Sequence, residues 1–156
     1  INISLDSTEP DYLLKLNLHL VAGFLYHKKL TASEHGIVLE YNVLSYNLES
    51  KVPEYTLVEL FGILIDNAIE ATPKDGTVHI TINSANRKII FSTRNPGYVL
   101  TPDDRTNFFT KGYTTKSTNT NSGLGLYNLR DIVLNQYNGS VSLWNEGTDI
   151  LFEIIV

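Results

Sequence analysis

The side chains best placed for chemistry lie on one apolar stretch, Glu59-Leu60-Phe61-Gly62-Ile63-Leu64-Ile65-Asp66-Asn67-Ala68-Ile69-Glu70-Ala71. Read as an α-helix turning by about 100° per residue, it stacks Glu59, Ile63 and Asn67 along one side and Leu60, Leu64, Ala68 and Ala71 along another. A carboxylate and a carboxamide therefore share one face. A second stretch, Ser122-Gly123-Leu124-Gly125-Leu126-Tyr127-Asn128-Leu129-Arg130, suits an anion. Ser122 can cap the helix that follows. Gly123 and Gly125 lack side chains, so a phosphate can approach the exposed backbone N–H groups at the positive helix end. A triphosphate fits such a cradle. Each stretch also has a plainer reading, the first as a core helix whose polar groups meet solvent and the second as a glycine-rich loop before an ordinary helix.

The rest of the chain has to position these two stretches. Its 156 residues, 42% of them hydrophobic, suit a single domain with a proper core. There is no cysteine, which excludes a disulfide scaffold and any thiolate nucleophile or metal site. A formal charge of −5 without a basic block argues against a nucleic-acid surface, since phosphate contacts need clustered Lys and Arg. The longest apolar run, Leu18 to Tyr26, is interrupted by His19 and falls short of a membrane span. The chain starts at Ile1 without a Met or a signal-like region, and is read as a piece of something longer.

In chain order, Ser7-Thr8-Glu9-Pro10-Asp11 is a helix-start signal, and Leu14, Leu18, Val21 and Leu25 recur at helical spacing. This predicts an amphipathic helix to about Ser33, with possible breaks at Asn17 or Gly23 and a stop at His35-Gly36. Ile37 to Val43 is a strand, and Leu44 to Glu54 a polar loop ending at Pro53 and leading into the helix of Glu59 and Asn67. After the turn Pro73-Lys74-Asp75-Gly76, Val78, Ile80 and Ile82 alternate with Thr77, His79 and Thr81 as a half-buried strand. Asn83 to Arg87 is the hairpin connection, and Lys88 to Thr93 returns. A loop of more than twenty residues rich in Thr, Asn, Asp and Gly then runs from Asn95-Pro96-Gly97 to Leu124, long enough to be functional. Leu124, Leu126, Leu129, Ile132 and Val133 form a helix closed by Asn138-Gly139. Val141 to Trp144 and Asp149 to Val156 are strands joined through Glu146-Gly147-Thr148. The prediction is an α+β two-layer sandwich, a mixed sheet of about five strands with three main helices on one face.

Asp66-Asn67-Ala68-Ile69-Glu70-Ala71 resembles the N-box of the GHKL family, the Bergerat-fold ATP-binding domain of sensor histidine kinases, Hsp90-type chaperones and MutL-type repair ATPases. Gly123-Leu124-Gly125-Leu126 followed by Asn128 and Arg130 resembles its second glycine box. Asn107-Phe108-Phe109-Thr110-Lys111-Gly112-Tyr113-Thr114-Thr115-Lys116 is similar to the F-box of histidine kinases. The resemblance is close over 56–156 and loose before it. It implies ATP and Mg²⁺ as cofactors. Asn67 would hold the metal, and Glu59 would be the catalytic acid that orients or deprotonates an acceptor imidazole. Asn95 and Gly97 would lie at the adenine, and Lys116, Gly123, Leu124, Gly125 and Leu126 at the phosphates. Residues 1–156 would be one domain, with 1–17 as residual linker from an upstream dimerisation domain and 96–122 as the lid region. The lid proper, Ser117 to Asn121, has no apolar anchor and should be poorly ordered without nucleotide. Phe108 and Phe109 would anchor the loop on the core, at least one of them doing so.

Two positions depart from the family. Ile63 stands where many kinases place a second Asn one turn before the N-box Asn, and Asn95 stands where the first glycine box has Asp. An amide oxygen still accepts a bond from an exocyclic amine, but without charge and in one flip state only. Asn at this position, together with the helix end Ala32-Ser33-Glu34-His35-Gly36-Ile37, is similar to the peptide-pheromone receptor kinases of quorum sensing. The histidines are His19, His27, His35 and His79; none carries the pattern of a phosphoacceptor, and no two have metal-ligand spacing with a third partner. The acceptor is therefore expected on an upstream dimerisation domain of the same full-length protein, with a response regulator downstream. The chain would be the cytoplasmic catalytic part of a membrane-bound receptor, making no membrane contact itself. The alternatives are a catalytically silent nucleotide-binding module, supported by Ile63 and Asn95, and a chaperone-like or repair-like ATPase, opposed by the short lid and Thr114-Thr115-Lys116.

Overall fold

Alternation of apolar and polar side chains builds a five-stranded sheet in the computed structural model, which describes residues 10–110 and 124–156. The strands are β1 (Val38–Val43), β2 (Thr77–Ala85), β3 (Lys88–Asn95), β4 (Ser140–Glu146) and β5 (Asp149–Ile155), in the spatial order β1-β2-β3-β5-β4. Only β1 and β2 are parallel; the other pairs are antiparallel. A parallel pair needs a crossover long enough to carry the chain back, and the helix of the first motif supplies it. The helices are α1 (His19–Glu34), α2 (Glu54–Ala71), a short α3 (Pro102–Asn107) and α4 (Leu124–Asp131). With α1, α2 and α4 covering one face of the mixed sheet, the architecture is the expected two-layer sandwich.

The covered face carries Leu39 and Tyr41 of β1, Val78, Ile80 and Ile82 of β2, Ile89 and Phe91 of β3, and Ile150, Phe152 and Ile154 of β5, all buried. Against them α2 turns Leu57, Leu60, Phe61, Leu64, Ile65 and Ala68. Phe61 lies flat on Phe91, with ring centroids 4.0 Å apart and planes 8° from parallel. Phe61→Ala removes a fully buried ring from the joint between α2 and the sheet. It is expected to destabilise the fold by about 3–5 kcal/mol in denaturant unfolding, the range for deleting a core aromatic.

The predicted first helix is divided. Pro10–Lys15 forms a 3₁₀ turn, and α1 begins at His19. The break falls at Asn17, where the side chain makes a two-point clasp with the loop before α2: Nδ2 donates to Leu48 O at 3.0 Å, and Oδ1 accepts from Leu48 N at 2.7 Å. A helix running through would carry that amide away from its partners. Tyr12, Leu13 and Leu16 of the turn are buried. Tyr12 donates its hydroxyl to Tyr41 O at 3.2 Å, and Tyr41 donates to Leu25 O at 2.8 Å. Burial pushes the Tyr12 phenol up to about 12 and raises that of Tyr41 further.

Two expectations change. Asn83, Ser84 and Ala85 remain paired to β3, opposite Ile90, Ile89 and Lys88, so the hairpin is tighter than predicted. Its turn is Asn86-Arg87 with φ of 54° and 61°, two consecutive left-handed residues that match the twist of the strands. The long loop after Gly97 contains α3. Thr101 accepts from Asp104 N at 3.1 Å while Asp104 accepts from Thr101 N at 2.9 Å, a reciprocal cap with Pro102 at the helix start. At the far end, α4 continues as a wider π-helical turn, Ile132–Gln136, before Asn138 (φ 52°) and Gly139 lead into β4. No helix of the described residues is long and apolar enough to cross a membrane.

Candidate functional site

The apolar rows of α2 are drawn to the sheet, and this turns its polar face aside. Glu59 is exposed, while Ile63 and Asn67 are half-buried. Asp66, next to Asn67, is already engaged: Lys28 of α1 donates to its Oδ1 at 2.6 Å, with the ammonium also 5.7 Å from the centre of the Phe24 ring. Asn67 and Glu59 have no side-chain partner among the described residues. The helix thus ties Asp66 into an ion pair and leaves Glu59 and Asn67 open among the described residues.

Ile63, the departure from the family pattern, has a packing role. A Cβ placed on Gly125 would stand 3.4 Å from Ile63 Cγ2, so the first turn of α4 rests against the middle of this α2 face. Leu126 turns into the core with Leu129 and Val133, leaving its backbone as the part available to a ligand. Leu124 opens α4. Ser122, Gly123, Lys116 and the lid Ser117 to Asn121 lie outside the described residues.

Asn95 ends β3 on the covered side of the sheet, 3% exposed and opposite Ile150. Its Nδ2 donates to Pro96 O at 2.8 Å, and this fixes the amide so that Oδ1 is the atom left to accept. Gly97 follows in a tight passage. A Cβ there would come within 2.5 Å of Ile150 Cδ1 and 2.7 Å of Ile150 Cγ1. Thr93, two residues before Asn95 on the same inward row, is 1% exposed, and its Oγ1 has no partner among the described residues. Sequence reading passed over Thr93, although a threonine at an inward position of an alternating strand was the available signal.

The loop before residue 111 is seated on β5. Phe108 and Phe109 meet Phe152 edge-on, with centroids 5.8 and 5.9 Å away, so both anchor the loop. Arg130 of α4 places its guanidinium 5.8 Å from the centre of the Phe109 ring. On the opposite sheet face several charged groups pair. Arg94 pairs with Asp149 at 2.8 Å and with Glu146, and its pKa is raised, first by the Asp149 hydrogen bond. His79 lies 3.7 Å from Glu40, and His35 Nδ1 lies 2.8 Å from Thr31 O.

The donor set is selective about what it can hold. Among the described residues no three His, Asp or Glu side chains converge on a metal. Asn67 offers a single neutral oxygen, which suits a hard cation coordinated mainly by phosphate oxygens and water, as Mg²⁺ is. Asn95 Oδ1 and the orphaned Thr93 hydroxyl suit the polar edge of a heterocycle entering between apolar walls.

Residues 53–155 match the histidine kinase-, DNA gyrase B- and HSP90-like ATPase family. The heme sensor protein HssS of Staphylococcus epidermidis is 28% identical over 133 residues, which is 83% of this chain and 29% of that protein. The sensor histidine kinase DcuS of Escherichia coli K12 is 29% identical over 121 residues, 72% of this chain and 21% of that protein. The chain therefore spans less than a third of the curated relatives it matches. Among solved structures, the catalytic domain of histidine kinase ThkA superposes with a TM-score of 0.76 at 22% identity, covering 88% of this chain and 89% of that one. ThkA in complex with the response regulator protein TrrA gives 0.75 at 19% identity, over 90% of this chain and 40% of that one. These relatives sense heme or are named as sensor kinases; none is a pheromone receptor by name. With its N-box helix, its first-glycine-box strand end and the start of its second-glycine-box helix on one side of the sheet, the chain belongs to the histidine kinase-, DNA gyrase B- and HSP90-like ATPase family and is homologous to the ATP-binding catalytic domains of sensor histidine kinases.

Proposed function

We propose that the chain, as a single domain, binds Mg²⁺–ATP and presents the γ-phosphate to a histidine on an upstream dimerisation domain of the same full-length protein, from which a response regulator is then phosphorylated. The observation that carries this reading is the α2 face, where Asn67 and Glu59 are both unpartnered among the described residues while neighbouring Asp66 is tied to Lys28. An open carboxylate two turns before Asn67 can serve as base toward an incoming imidazole. Asn67 would hold the metal, and Mg²⁺ when bound neutralises the charge on the β- and γ-phosphates. Gly125 and the backbone of Leu124 and Leu126, with Gly123 and Lys116, would cradle the phosphates at the helix end. Asn95 and Gly97 would receive the adenine. Glu59 would take the proton from, or orient, the acceptor imidazole.

This working position belongs to the cytoplasmic side of a membrane receptor, the setting in which sensor kinases meet ATP. The kinship with peptide-pheromone receptors rests on Asn95 in place of Asp and on the helix end 32–37. The complex of ThkA with TrrA supports a response regulator as partner.

The test is reconstitution. Incubated alone with labelled ATP, the chain is expected to bind nucleotide and to take up no acid-labile phosphate, because its four histidines lack an acceptor pattern. Adding a dimeric helical domain that carries the acceptor histidine is expected to give phosphohistidine on that domain. Phosphohistidine at His19, His27, His35 or His79, read by mass spectrometry, would overturn the assignment of the acceptor; steady hydrolysis with no transfer would favour a water-using ATPase.

A further inference from the structure

A buried hydroxyl with no partner is rare because the hydrogen bonds it gave up in water are not replaced, at a cost of about 1–3 kcal/mol. Thr93 Oγ1 is in that state. The residue sits between Phe91, which lies under Phe61, and Asn95, with Ile80 and Phe152 as its strand neighbours. Valine has the same shape and would fill this apolar setting without the cost. The hydroxyl is therefore unexplained by packing, and the next inward residue along the strand is the amide assigned to the nucleobase.

On that reading of the site, we infer that Thr93 is a second base-recognition residue, its hydroxyl donating to the adenine ring nitrogen adjacent to the amine that donates to Asn95 Oδ1. The chemistry of the two groups matches the edge. Adenine presents an N–H donor beside a ring-nitrogen acceptor, so an acceptor and a donor two residues apart on one strand face are the complement. Guanine presents the reverse order, a carbonyl acceptor beside an N–H donor. A free asparagine amide could flip to suit either base. Here a flip would cost Asn95 its bond to Pro96 O, so the amide is held in the adenine-reading state. Two neutral, oriented groups thus do the work of the single carboxylate usual in the family. The hydroxyl stays unsatisfied only until the base arrives.

The test is a double-mutant cycle on the whole chain, using ATP and 1-deaza-ATP, in which the ring nitrogen is replaced by C–H. Wild type is expected to bind 1-deaza-ATP about tenfold more weakly than ATP, as for one hydrogen bond in a buried site. Thr93→Val is expected to bind ATP about tenfold more weakly than wild type, yet to bind the two nucleotides equally. Thr93→Ser should recover most of the affinity for ATP. Thr93→Val should melt at or above the wild-type temperature, since an orphaned hydroxyl is removed, so weaker binding will not reflect a damaged fold. Full ATP affinity in Thr93→Val, or an unchanged preference for ATP over 1-deaza-ATP in that variant, overturns the inference while leaving the ATP site in place. A wild-type chain that binds no ATP, or an Asn95→Ala variant that binds it normally, overturns the site itself and the inference with it.

Discussion

Glu59→Gln is expected to slow phosphoryl transfer to a supplied helical acceptor domain by about 10²-fold or more, the size of a general-base contribution, while ATP affinity stays within about twofold. Glu59 is exposed and makes no contact that the fold depends on, so the change removes charge and basicity and little else. It also stands two helical turns before Asn67, about 12 Å along the axis at 1.5 Å per residue. That separation places the carboxylate away from a metal held by Asn67 and toward where an incoming imidazole would be met. An interaction made mainly in the transition state lowers the rate and leaves nucleotide binding intact. Single-turnover transfer and calorimetric titration on the same preparation separate the two quantities. Equal losses in both would make Glu59 a structural residue of the α2 entrance; unchanged transfer would remove it from the chemistry.

The sequence was most informative where one physical rule acted alone. Period-two alternation gave β2, and the 3.6-residue period gave α2, because each of those elements has one face on a continuous core. It was least informative where the deciding partner is remote. A break at Asn17 could be read from the sequence, but not that its amide would clasp Leu48, 31 positions away. Likewise nothing in the sequence pairs Asp66 with Lys28, 38 positions away on α1. Two other differences were legible in hindsight. Thr101-Pro102-Asp103-Asp104 spells a reciprocal cap with proline at the first turn, outvoted by the polar composition of the loop around it. Asn86-Arg87 offered a residue tolerant of positive φ where a longer connection was expected. Thr93 belongs to a third kind: its place on the inward row could be read, but that its hydroxyl is orphaned needs the neighbours Phe91 and Phe152 in position.

Asn67→Ala is expected to abolish Mg²⁺-dependent ATP binding, a loss above the roughly 10–100-fold that removing an outer partner of a metal ligand costs. The size follows from how little else this helix offers the cation. Ile63 fills the position one turn earlier and packs toward Gly125, so the face carries no second carboxamide. Asp66 is held by Lys28 at 2.6 Å, and no group of three acidic or histidine side chains among the described residues could substitute. One amide oxygen therefore stands between the protein and a metal otherwise coordinated by phosphate and water. The loss should be specific to the metal: in EDTA, wild type and Asn67→Ala are expected to bind ATP with the same weak affinity. Asn67→Asp, which keeps an oxygen at that position, should retain the Mg²⁺ dependence. Asp66→Asn should leave it unchanged, because that carboxylate serves the contact between α1 and α2. Calorimetry with and without Mg²⁺ reads all four. Wild-type affinity for Mg²⁺–ATP in Asn67→Ala would take Asn67 out of the site, and with it the reason for placing the phosphates between α2 and α4.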